Sequence, residues 1–367
     1  MEAHQFKRNI KAGQRLEYGI YQFMDQFLGR KTVFKLFGKR RRKFYRNLTE
    51  ILKKSGEGKI YPIERRKDLS LEELRNHYMK KGIPVVMEGA AKDWDCVKKW
   101  SLDYFKHLHG DDEALMADQS NMESYESSTL AEVIDNIQSG GKKYYRFYPL
   151  LDKHPEHIKD FDYKWLLDRG TRFSFFDAFQ LFIGGKGSIS YIHNANPPNF
   201  FVQAYGQKDW ILFSQYYTMI IDPDPVRNVY RNAPFRAKGG MPFDAFAPDY
   251  SSPNELYKYI DGYSVHLEPG DILWNPPFYW HTVKNASDSI GVGFRWIDPF
   301  FSFTISPLYM FLDLFAMHPP IWKSWKLMKK DNNLVHLAEA GKLDNYLKKK
   351  AENEAKKKQE AAKQANG

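Results

Sequence analysis

The sequence predicts an α+β protein in which an antiparallel β-barrel or sandwich is flanked by helices. From about residue 180 to 298, short β-branched and aromatic runs are separated by Gly, Pro and Asn clusters, as in antiparallel all-β cores. Of 367 residues, 43% are hydrophobic, 16% aromatic and 27% charged, so the chain can bury a large core and is not globally disordered. One large folded domain with appendages is therefore expected.

The segment before the barrel is predicted to contain two capped helices and a strand. In LSLEELRNHYMKKG, Ser70 is the expected N-cap, Glu73 its capping-box partner and Gly82 the end of the helix. The run IPVVMEG that follows is predicted to be a buried strand. WSLDYFKHLHGD repeats the helical pattern between Ser101 and Gly110.

Residues 1–60 are predicted to form a basic amphipathic helical arm. They hold 16 Lys and Arg against 5 Asp and Glu, or +11, whereas the remaining residues hold 39 against 40, or −1. Apolar residues recur in the arm at helical spacing: Leu16, Ile20, Phe23, Met24 and Phe27. Two interpretations remain open, a helix packed on its own domain with a solvated basic face, and binding to an anionic membrane surface. Nucleic acid is less favoured, because no recognised reading module accompanies the basic run.

An apolar segment, FFSFTISPLYMFLDLFAM at residues 300–317, follows the barrel. We reject a membrane span here because Pro307 would interrupt the helix and Asp313 would be costly in hydrocarbon. A helix at a homodimer interface is expected. The alternative is an interfacial membrane segment, which Trp322, Trp325 and the nearby lysines would suit.

These patterns divide the chain into four parts. They are the arm (1–60), the barrel domain (61–298), a C-terminal apolar helical segment (299–345) and a Lys-rich tail expected to be disordered or a frayed helix (346–367). Cys96 is the only cysteine, which excludes an intramolecular disulfide, and the N-terminus has no apolar h-region for secretion. A cytoplasmic location is expected, with a peripheral membrane contact as an option through the arm.

Strand periodicity predicts which side chains share a face of the barrel. If SISYIH is a strand, His193 lies on one face with Tyr191, and Ser190 lies on the other with Ile192, unless a bulge intervenes. The expected phase therefore separates Ser190 from His193.

Glycine and proline set the expected turns between the later strands. NFFVQAY is predicted to turn at Gly206–Gln207 and to pair with KDWILF as a hairpin whose second strand starts at Lys208. In LEPGDILWNPPFYWHTV, Asp271 is predicted to be a turn residue, the two prolines form a rigid corner, and His281 starts another strand.

Several blocks between residues 70 and 298 occur in the order found in a known family. They are GIPVVMEGAAKDW and KKWSLDYFKHLHGD, then HNANPPNFFVQAYGQKDWILF, and then EPGDILWNPPFYWHTV. In these blocks the chain resembles the cupin-like JmjC family of double-stranded β-helix oxygenases, including the asparaginyl hydroxylase of the hypoxia pathway. The resemblance implies a double-stranded β-helix, that is a cupin or jelly-roll barrel, with N-terminal and C-terminal helices around it.

The resemblance also implies an Fe(II) site in the barrel mouth, with 2-oxoglutarate as the cosubstrate that chelates the metal. His193 and His281 match the two imidazole ligands of the family. The family's metal-binding carboxylate stands two residues after the first histidine, where this chain has Ala195. Since that carboxylate completes the facial triad, its replacement puts catalysis by the standard route in doubt.

The implied cosubstrate pocket is matched by a lysine and two hydroxyl groups. The family lysine that pairs with the distal carboxylate of 2-oxoglutarate stands fifteen residues after the first histidine, which is Lys208 here. Ser190 and Tyr145 match hydroxyl donors of the same pocket. An ammonium directed into a barrel is costly unless an anion pairs with it, and a dicarboxylate would supply that anion.

Three functions remain open with Ala195 at the carboxylate position. The first is an oxygenase of the hydroxylase type that uses two histidines and water. The second is a halogenase-like enzyme with chloride at the vacated ligand position, and the third is a catalytically silent cupin used for binding or assembly. The substrate, a small molecule or a protein side chain, would be selected by barrel-mouth loops such as residues 215–262.

Overall fold

The protein is built on two β-sheets that pack face to face. The computed structural model describes residues 10–118, 121–141, 144–148, 150–170, 178–225, 227–234, 242–296, 298–317, 337 and 340–365. The strands are β1 (Ile60–Pro62), β2 (Arg65–Arg66), β3 (Val85–Met87), β4 (Glu113–Asp118), β5 (Asn121–Thr129), β6 (Tyr144–Tyr148), β7 (Ala178–Gly184), β8 (Ile189–Ala195), β9 (Asn199–Tyr205), β10 (Lys208–Phe213), β11 (Tyr230–Asn232), β12 (Gly262–Leu267), β13 (Ile272–Asn275), β14 (Trp280–Asn285) and β15 (Ser289–Arg295). One sheet has the order β1-β12-β10-β14-β8-β11 and the other β2-β3-β13-β9-β15-β7-β6-β4-β5. The predicted α+β double-stranded β-helix is confirmed.

Helices surround both sheets, as predicted. They are α1 (Ala12–Leu28), α2 (Arg30–Ser55), α3 (Leu71–Glu73, continued by a π-helix at Leu74–Met79), α4 (Asp95–Lys99), α5 (Leu102–His109), α6 (Leu130–Gln138), α7 (Leu150–Lys153), α8 (Tyr163–Arg169), α9 (Thr218–Ile221), α10 (Pro299–Ile305), α11 (Pro307–Asp313) and α12 (Leu343–Ala365). Short 3-10 helices lie at Pro155–Asp160, Gln215–Tyr217 and Glu255–Tyr259. Within the described part of the chain, no helix has the length and apolarity needed to cross a bilayer.

Among the described residues, three large apolar layers lie between and outside the two sheets, and a smaller cluster is formed by Phe278, Tyr309 and Leu312. Side chains of α3–α8 pack on the outer face of the nine-stranded sheet, and side chains of α1 and α2 pack on the outer face of the six-stranded sheet. Between the sheets is the interior layer, formed by Ile63, Val86, Phe201, Trp210, Leu212, Tyr263, Val265, Leu267, Leu273, Tyr279 and Val283. Because strands alternate, a residue that shares strand phase with this layer faces the barrel interior.

The predicted helix starts in the upstream segment are confirmed by their caps. The Ser70 hydroxyl accepts the N–H of Glu73, although the Glu73 carboxylate pairs with Arg66 at 2.6 Å. The Ser101 hydroxyl caps α5 in the same way, by accepting the N–H of Tyr104. These caps satisfy amide groups that a helix N-terminus otherwise leaves without partners.

Asp271 occupies the turn before β13, as predicted. Its carboxylate accepts hydrogen bonds from Arg65 at 2.8 Å and from the backbone N–H groups of Gly89 and Glu268 at 3.1 and 3.0 Å. Asp271 therefore fixes the turn against β2 and β3 and lies outside the barrel interior.

The predicted hairpin between β9 and β10 is wrong. β9 pairs with β13 and β15, whereas β10 pairs with β12 and β14 in the opposite sheet. The turn itself is present, with Gly206 at a φ of +63° and its α-carbon so close to the Asp288 carbonyl that a Cβ would be 1.9 Å from that oxygen. A two-residue turn can join two strands that pair with each other, or two strands that lie in different sheets. Which of these forms depends on the partners with which each strand pairs.

Helix α1 of the arm packs on α2 and the domain through its less apolar side. Tyr18 stacks on Phe44 of α2 at 6.4 Å, and Asp25 forms a buried ion pair with Arg41 at 2.8 Å. Asp222, at the end of α9, joins that pair through the Arg41 guanidinium at 3.2 Å. Of the apolar residues predicted to form the arm's amphipathic face, Leu16, Ile20, Phe23 and Phe27 lie on the opposite side of α1 and face solvent, with Leu16 68% exposed. Met24 instead packs, partly buried, against the domain.

The apolar segment after the barrel breaks at Pro307, as predicted. One helix ends at Ile305 and the next begins at Pro307. Asp313 is buried against Arg231 at 2.5 Å and Asn196 at 2.9 Å, which satisfies its carboxylate. Trp322 and Trp325 lie outside the described residues.

Of the two predictions for the Lys-rich tail, a frayed helix and a disordered segment, the helix is the one that matches α12. Leu343 is buried at the edge of the layer under α3–α8, and Leu347 packs against it. Lys159 pairs with Asp344 at 2.6 Å. These contacts anchor the first turns, and the Ala, Lys, Glu and Gln residues that follow have high helix propensity.

Candidate ligand site in the barrel

Two histidines meet at the barrel interior. His193 on β8 and His281 on β14 are directly paired across the six-stranded sheet, and their ring centroids are 4.2 Å apart. In each ring, Nδ1 bonds to the backbone carbonyl two residues earlier, Tyr191 at 2.7 Å and Tyr279 at 3.0 Å. A carbonyl only accepts, so both Nδ1 atoms carry the proton and both Nε2 atoms hold the lone pair. This is a tautomer in which imidazole can bind a metal ion.

The donors beside this pair do not fit an iron ion on their own. Ala195, the next residue of β8 in the same phase as His193, is buried and offers no ligand atom. No group of three or more His, Cys, Asp or Glu side chains in the described residues could hold a metal ion. Burial, with the charge of Arg295 as a smaller cause, lowers the pKa of His281 to about 4. A positive guanidinium near the pair also opposes a further cation.

A bulge in β8 brings Ser190 to the same face as His193. His281 pairs with His193, but Val283, two residues along β14, pairs with Ser190, three residues back along β8. Since Val283 belongs to the interior layer, the residue opposite it also faces the interior. The alternation expected from the sequence placed Ser190 on the other face, and the bulge is the physical reason for the difference.

Lys208 is fully buried at the opposite end of the interior from His193. Its Nζ donates to Oδ1 of Asn285 and to Oγ of Ser289, the latter at 2.8 Å. Both of these partners are neutral. Burial lowers the pKa of Lys208 to about 7. A carboxylate brought next to Nζ would therefore raise that pKa and favour the charged form.

Two glycines of β15 make room for a pair of cationic side chains. A Cβ at Gly291 would be 3.1 Å from Cε of Lys208, and a Cβ at Gly293 would be 3.5 Å from Nε of Arg295. The same Cβ at Gly291 would also be 2.2 Å from the ring of Phe201. The two glycines are two residues apart on one face of the strand, which corresponds to about 7 Å. Lys208 and Arg295 thus flank a short stretch of the interior.

Four polar side chains of the nine-stranded sheet face the histidines and were not predicted from the sequence. They come from four neighbouring strands: Gln180 on β7, Asn199 on β9, Asn275 on β13 and Arg295 on β15. Asn275 lies 3.4 Å from Nδ1 of His281, and Asn199 is in register with both Asn275 and Arg295. Gln180 and Arg295 each donate to the hydroxyl of Tyr230 at 3.3 Å, which links this row to β11 beside Ala195.

Several polar atoms in this row have no hydrogen-bond partner among the described residues. They include both amide atoms of Asn199, Oδ1 of Asn275 and Oε1 of Gln180, all of them buried. A buried polar atom without a partner is costly and uncommon. Their clustering beside Arg295 indicates a place where a polar ligand completes the hydrogen bonds.

Tyr145 does not join this group. It is paired with Ile183 of β7 and packs with it in the layer under α3–α8, and its hydroxyl donates to the Glu113 carbonyl at 3.4 Å. The residue therefore lies on the outer face of the nine-stranded sheet. Its assignment to the cosubstrate pocket is corrected, because the phase of β6 turns it away from the interior.

Acid is expected to destabilise the fold because two histidines have lowered pKa values. Burial lowers the pKa of His281, and burial with the charge of His154 lowers that of His109, each from 6.5 to about 4. The unfolded chain then binds more protons, so stability is full above pH 6.5 and is lost as the pH falls towards 4. For the fully buried His281 the loss is about 3 kcal/mol.

Urea unfolding of the full chain at several pH values across this window measures the effect. His281→Asn should flatten the pH dependence, while His107→Asn, at an exposed position of α5, should leave it unchanged. Equal pH dependence in the wild type and in His281→Asn would contradict the assignment.

Comparison with known proteins identifies the domain. Residues 71–302, more than half of the chain, match a family model described as a cupin-like domain. The chain belongs to the cupin-like domain family. The resemblance to JmjC proteins is confirmed by relatives that carry that domain in their names.

The names of the relatives of this cupin-like protein indicate different activities. Lysine-specific demethylase 8 of Xenopus tropicalis is 26% identical over 241 residues, which are 62% of this chain and 51% of the relative. JmjC domain-containing protein D of Dictyostelium discoideum is 25% identical over 249 residues, 61% of this chain and 53% of the relative. The human tRNA wybutosine-synthesizing protein 5 is 24% identical over 263 residues, 65% and 79% of the two chains. The chain spans about half the length of the first two relatives, so the similarity shows the domain and not a substrate.

Proposed function

We propose that the barrel binds a small dicarboxylate, of the class of 2-oxoglutarate, between Lys208 and Arg295. The observation that carries the proposal is the position of these two buried cations beside Gly291 and Gly293 on one strand. Each carboxylate would accept charge-assisted hydrogen bonds from one cation, and such bonds are about twice as strong as neutral ones. Asn199, beside Arg295, would gain the partners that its amide group lacks.

The function that follows is that of a dicarboxylate-binding cupin-like protein in which the organic ligand is held more firmly than a metal. The resemblance to JmjC oxygenases implies 2-oxoglutarate as the dicarboxylate. Ala195 removes the negative charge that would offset a metal ion, and Arg295 adds a positive one. The interior is therefore better suited to an anion than to a cation.

An oxygenase of the hydroxylase type is the second candidate. It is favoured by the tautomers of His193 and His281, whose lone-pair nitrogens belong to directly paired residues. Fe(II) would supply the oxygen chemistry there, and the two imidazoles would hold it only together with the dicarboxylate. This candidate depends on the same ligand, so ligand binding is tested first.

Calorimetry with a series of acids tests the two-cation site. In metal-free buffer, 2-oxoglutarate and succinate are expected to bind the full chain about 100-fold more tightly than butyrate, because a second charge-assisted hydrogen bond is worth about 1.5–3 kcal/mol. Arg295→Gln should remove most of this preference. Arg66→Gln, which changes a surface ion pair with Glu73, is the matched control. Equal affinity for succinate and butyrate would exclude the site.

A further inference from the structure

Helix α1 presents a continuous apolar stripe to solvent. Leu16, Ile20, Phe23 and Phe27 follow one another at intervals of four, three and four residues, so they lie on one side of the helix. They are 68%, 50%, 42% and 37% exposed, in that order. The opposite side of α1 is the one that packs on the protein. Such spacing normally marks the side of a helix that faces a core, and here it faces outward.

Helix α11 and the residues after it extend this stripe into a larger patch. The ring of Phe23 lies 6.1 Å from that of Phe311, and the ring of Phe27 lies 5.3 Å from that of Phe315. Phe311 and Phe315 are 43% and 45% exposed, and Leu314 between them is 47% exposed. An apolar surface that continues across two helices is uncommon on a soluble protein without a partner.

Basic side chains of α2 border the patch. Arg40 pairs with Glu17 of α1 at 3.1 Å, which places this part of α2 next to the stripe. Leu36 and Lys43 are four residues before and three residues after Arg40, so they share its side of α2, and both are exposed. Together α1 and α2 carry 12 Lys and Arg against 3 Asp and Glu, or +9.

We infer that this patch is a docking surface for an anionic lipid bilayer, on which α1 and α11 lie in the plane of the interface. Exposed Phe, Leu and Ile side chains would enter the boundary between headgroups and acyl chains, and the lysines of α2 would face the anionic headgroups. A second copy of this chain fits less well. A symmetric dimer through the patch would place two identical basic helix pairs against each other, and like charges oppose that contact.

Vesicle flotation of the full chain tests the inference. The wild type is expected to float with phosphatidylcholine vesicles that contain phosphatidylserine, and less so in high salt or without the anionic lipid. Phe23→Ser with Phe27→Ser should weaken binding about tenfold or more, because two large apolar side chains no longer enter the bilayer. Lys39→Glu with Lys43→Glu should weaken it by a similar factor, and only at low salt.

Leu108→Ser is the matched control, because Leu108 is 49% exposed on α5, outside the patch. All of the substituted positions are exposed, so circular dichroism spectra should match the wild type. Equal flotation of the wild type and the double phenylalanine variant would overturn the inference. So would a wild-type dimer in sedimentation velocity that the phenylalanine variant converts to a monomer, since the patch would then be an interface between copies.

Discussion

Lys208→Met is expected to weaken 2-oxoglutarate binding by at least about 100-fold, since removal of one partner of a buried charge pair costs about 2–5 kcal/mol. The fold should remain intact. Asn285 and Ser289 stay paired with each other without the lysine, because the Ser289 hydroxyl donates to Oδ1 of Asn285 at 2.7 Å. Methionine fills most of the volume of the lysine stem and removes a group that is costly to bury when charged.

Calorimetry gives the affinity of this variant, and thermal unfolding gives its stability. Lys284→Met is the matched control, because Lys284 lies on the neighbouring strand β14 and faces the outer side of the sheet near Phe246. A Lys208→Met protein that unfolds like the wild type and binds 2-oxoglutarate with unchanged affinity would remove Lys208 from the site.

Ala195→Asp is expected to raise the affinity for Fe(II) by about 100-fold or more, because it supplies a third ligand and a negative charge next to the imidazole pair. Any strengthening of metal binding by chloride in the wild type should disappear in this variant. The introduced side chain has a competing partner in Arg295, which is linked to β11 opposite position 195 through the Tyr230 hydroxyl.

Anaerobic titration of the variant with Fe(II) measures the gain. The new carboxylate can bind the metal or pair with Arg295, and the double variant Ala195→Asp with Arg295→Gln distinguishes the two. Without Arg295, the double variant should bind the metal more tightly than the single variant does. If both variants fold and neither gains affinity for the metal, His193 and His281 do not converge on a metal ion, and the ligand-only function is favoured further.

The parts of the fold that sequence reasoning predicted are those with local signals. The Ser70 and Ser101 caps follow from side chains that satisfy helix N–H groups within three residues. The break at Pro307 follows from the missing N–H of proline. The prediction of a hairpin at Gly206 was wrong because a short turn shows only that the chain changes direction. It does not show which strands pair on either side of the turn.

The sequence predicted the site residues that match a family motif. It did not predict the residues whose position depends on which face of a strand points into the barrel. His193, His281 and Lys208 follow from the resemblance to the JmjC family, whose motif they match, and the structure places all three in the interior. Asn199 and Arg295 were missed, although each is two residues from an interior position on its own strand, Phe201 and Gly293 respectively.

Asn199 and Arg295 could be predicted only if it were known which alternate residues of β9 and β15 face the barrel interior. Both faces of these strands are buried, so the pattern of polar and apolar residues does not show which face points inward. Ser190 shows the same limit, because a single bulge reversed its expected face. Tyr145 matches a hydroxyl donor of the family in sequence, but the pairing of its strand with β7 turns it outward.

The barrel is expected to bind its organic ligand without any metal, and calorimetry of the metal-free wild type measures this. 2-Oxoglutarate is titrated into the full chain in EDTA at about pH 8, in two buffers of different ionisation enthalpy. We expect saturable binding of one ligand with uptake of a proton, because the pKa of Lys208, lowered to about 7 by burial, rises when a carboxylate arrives. Binding that appears only after Fe(II) is added, or that takes up no proton, would contradict it.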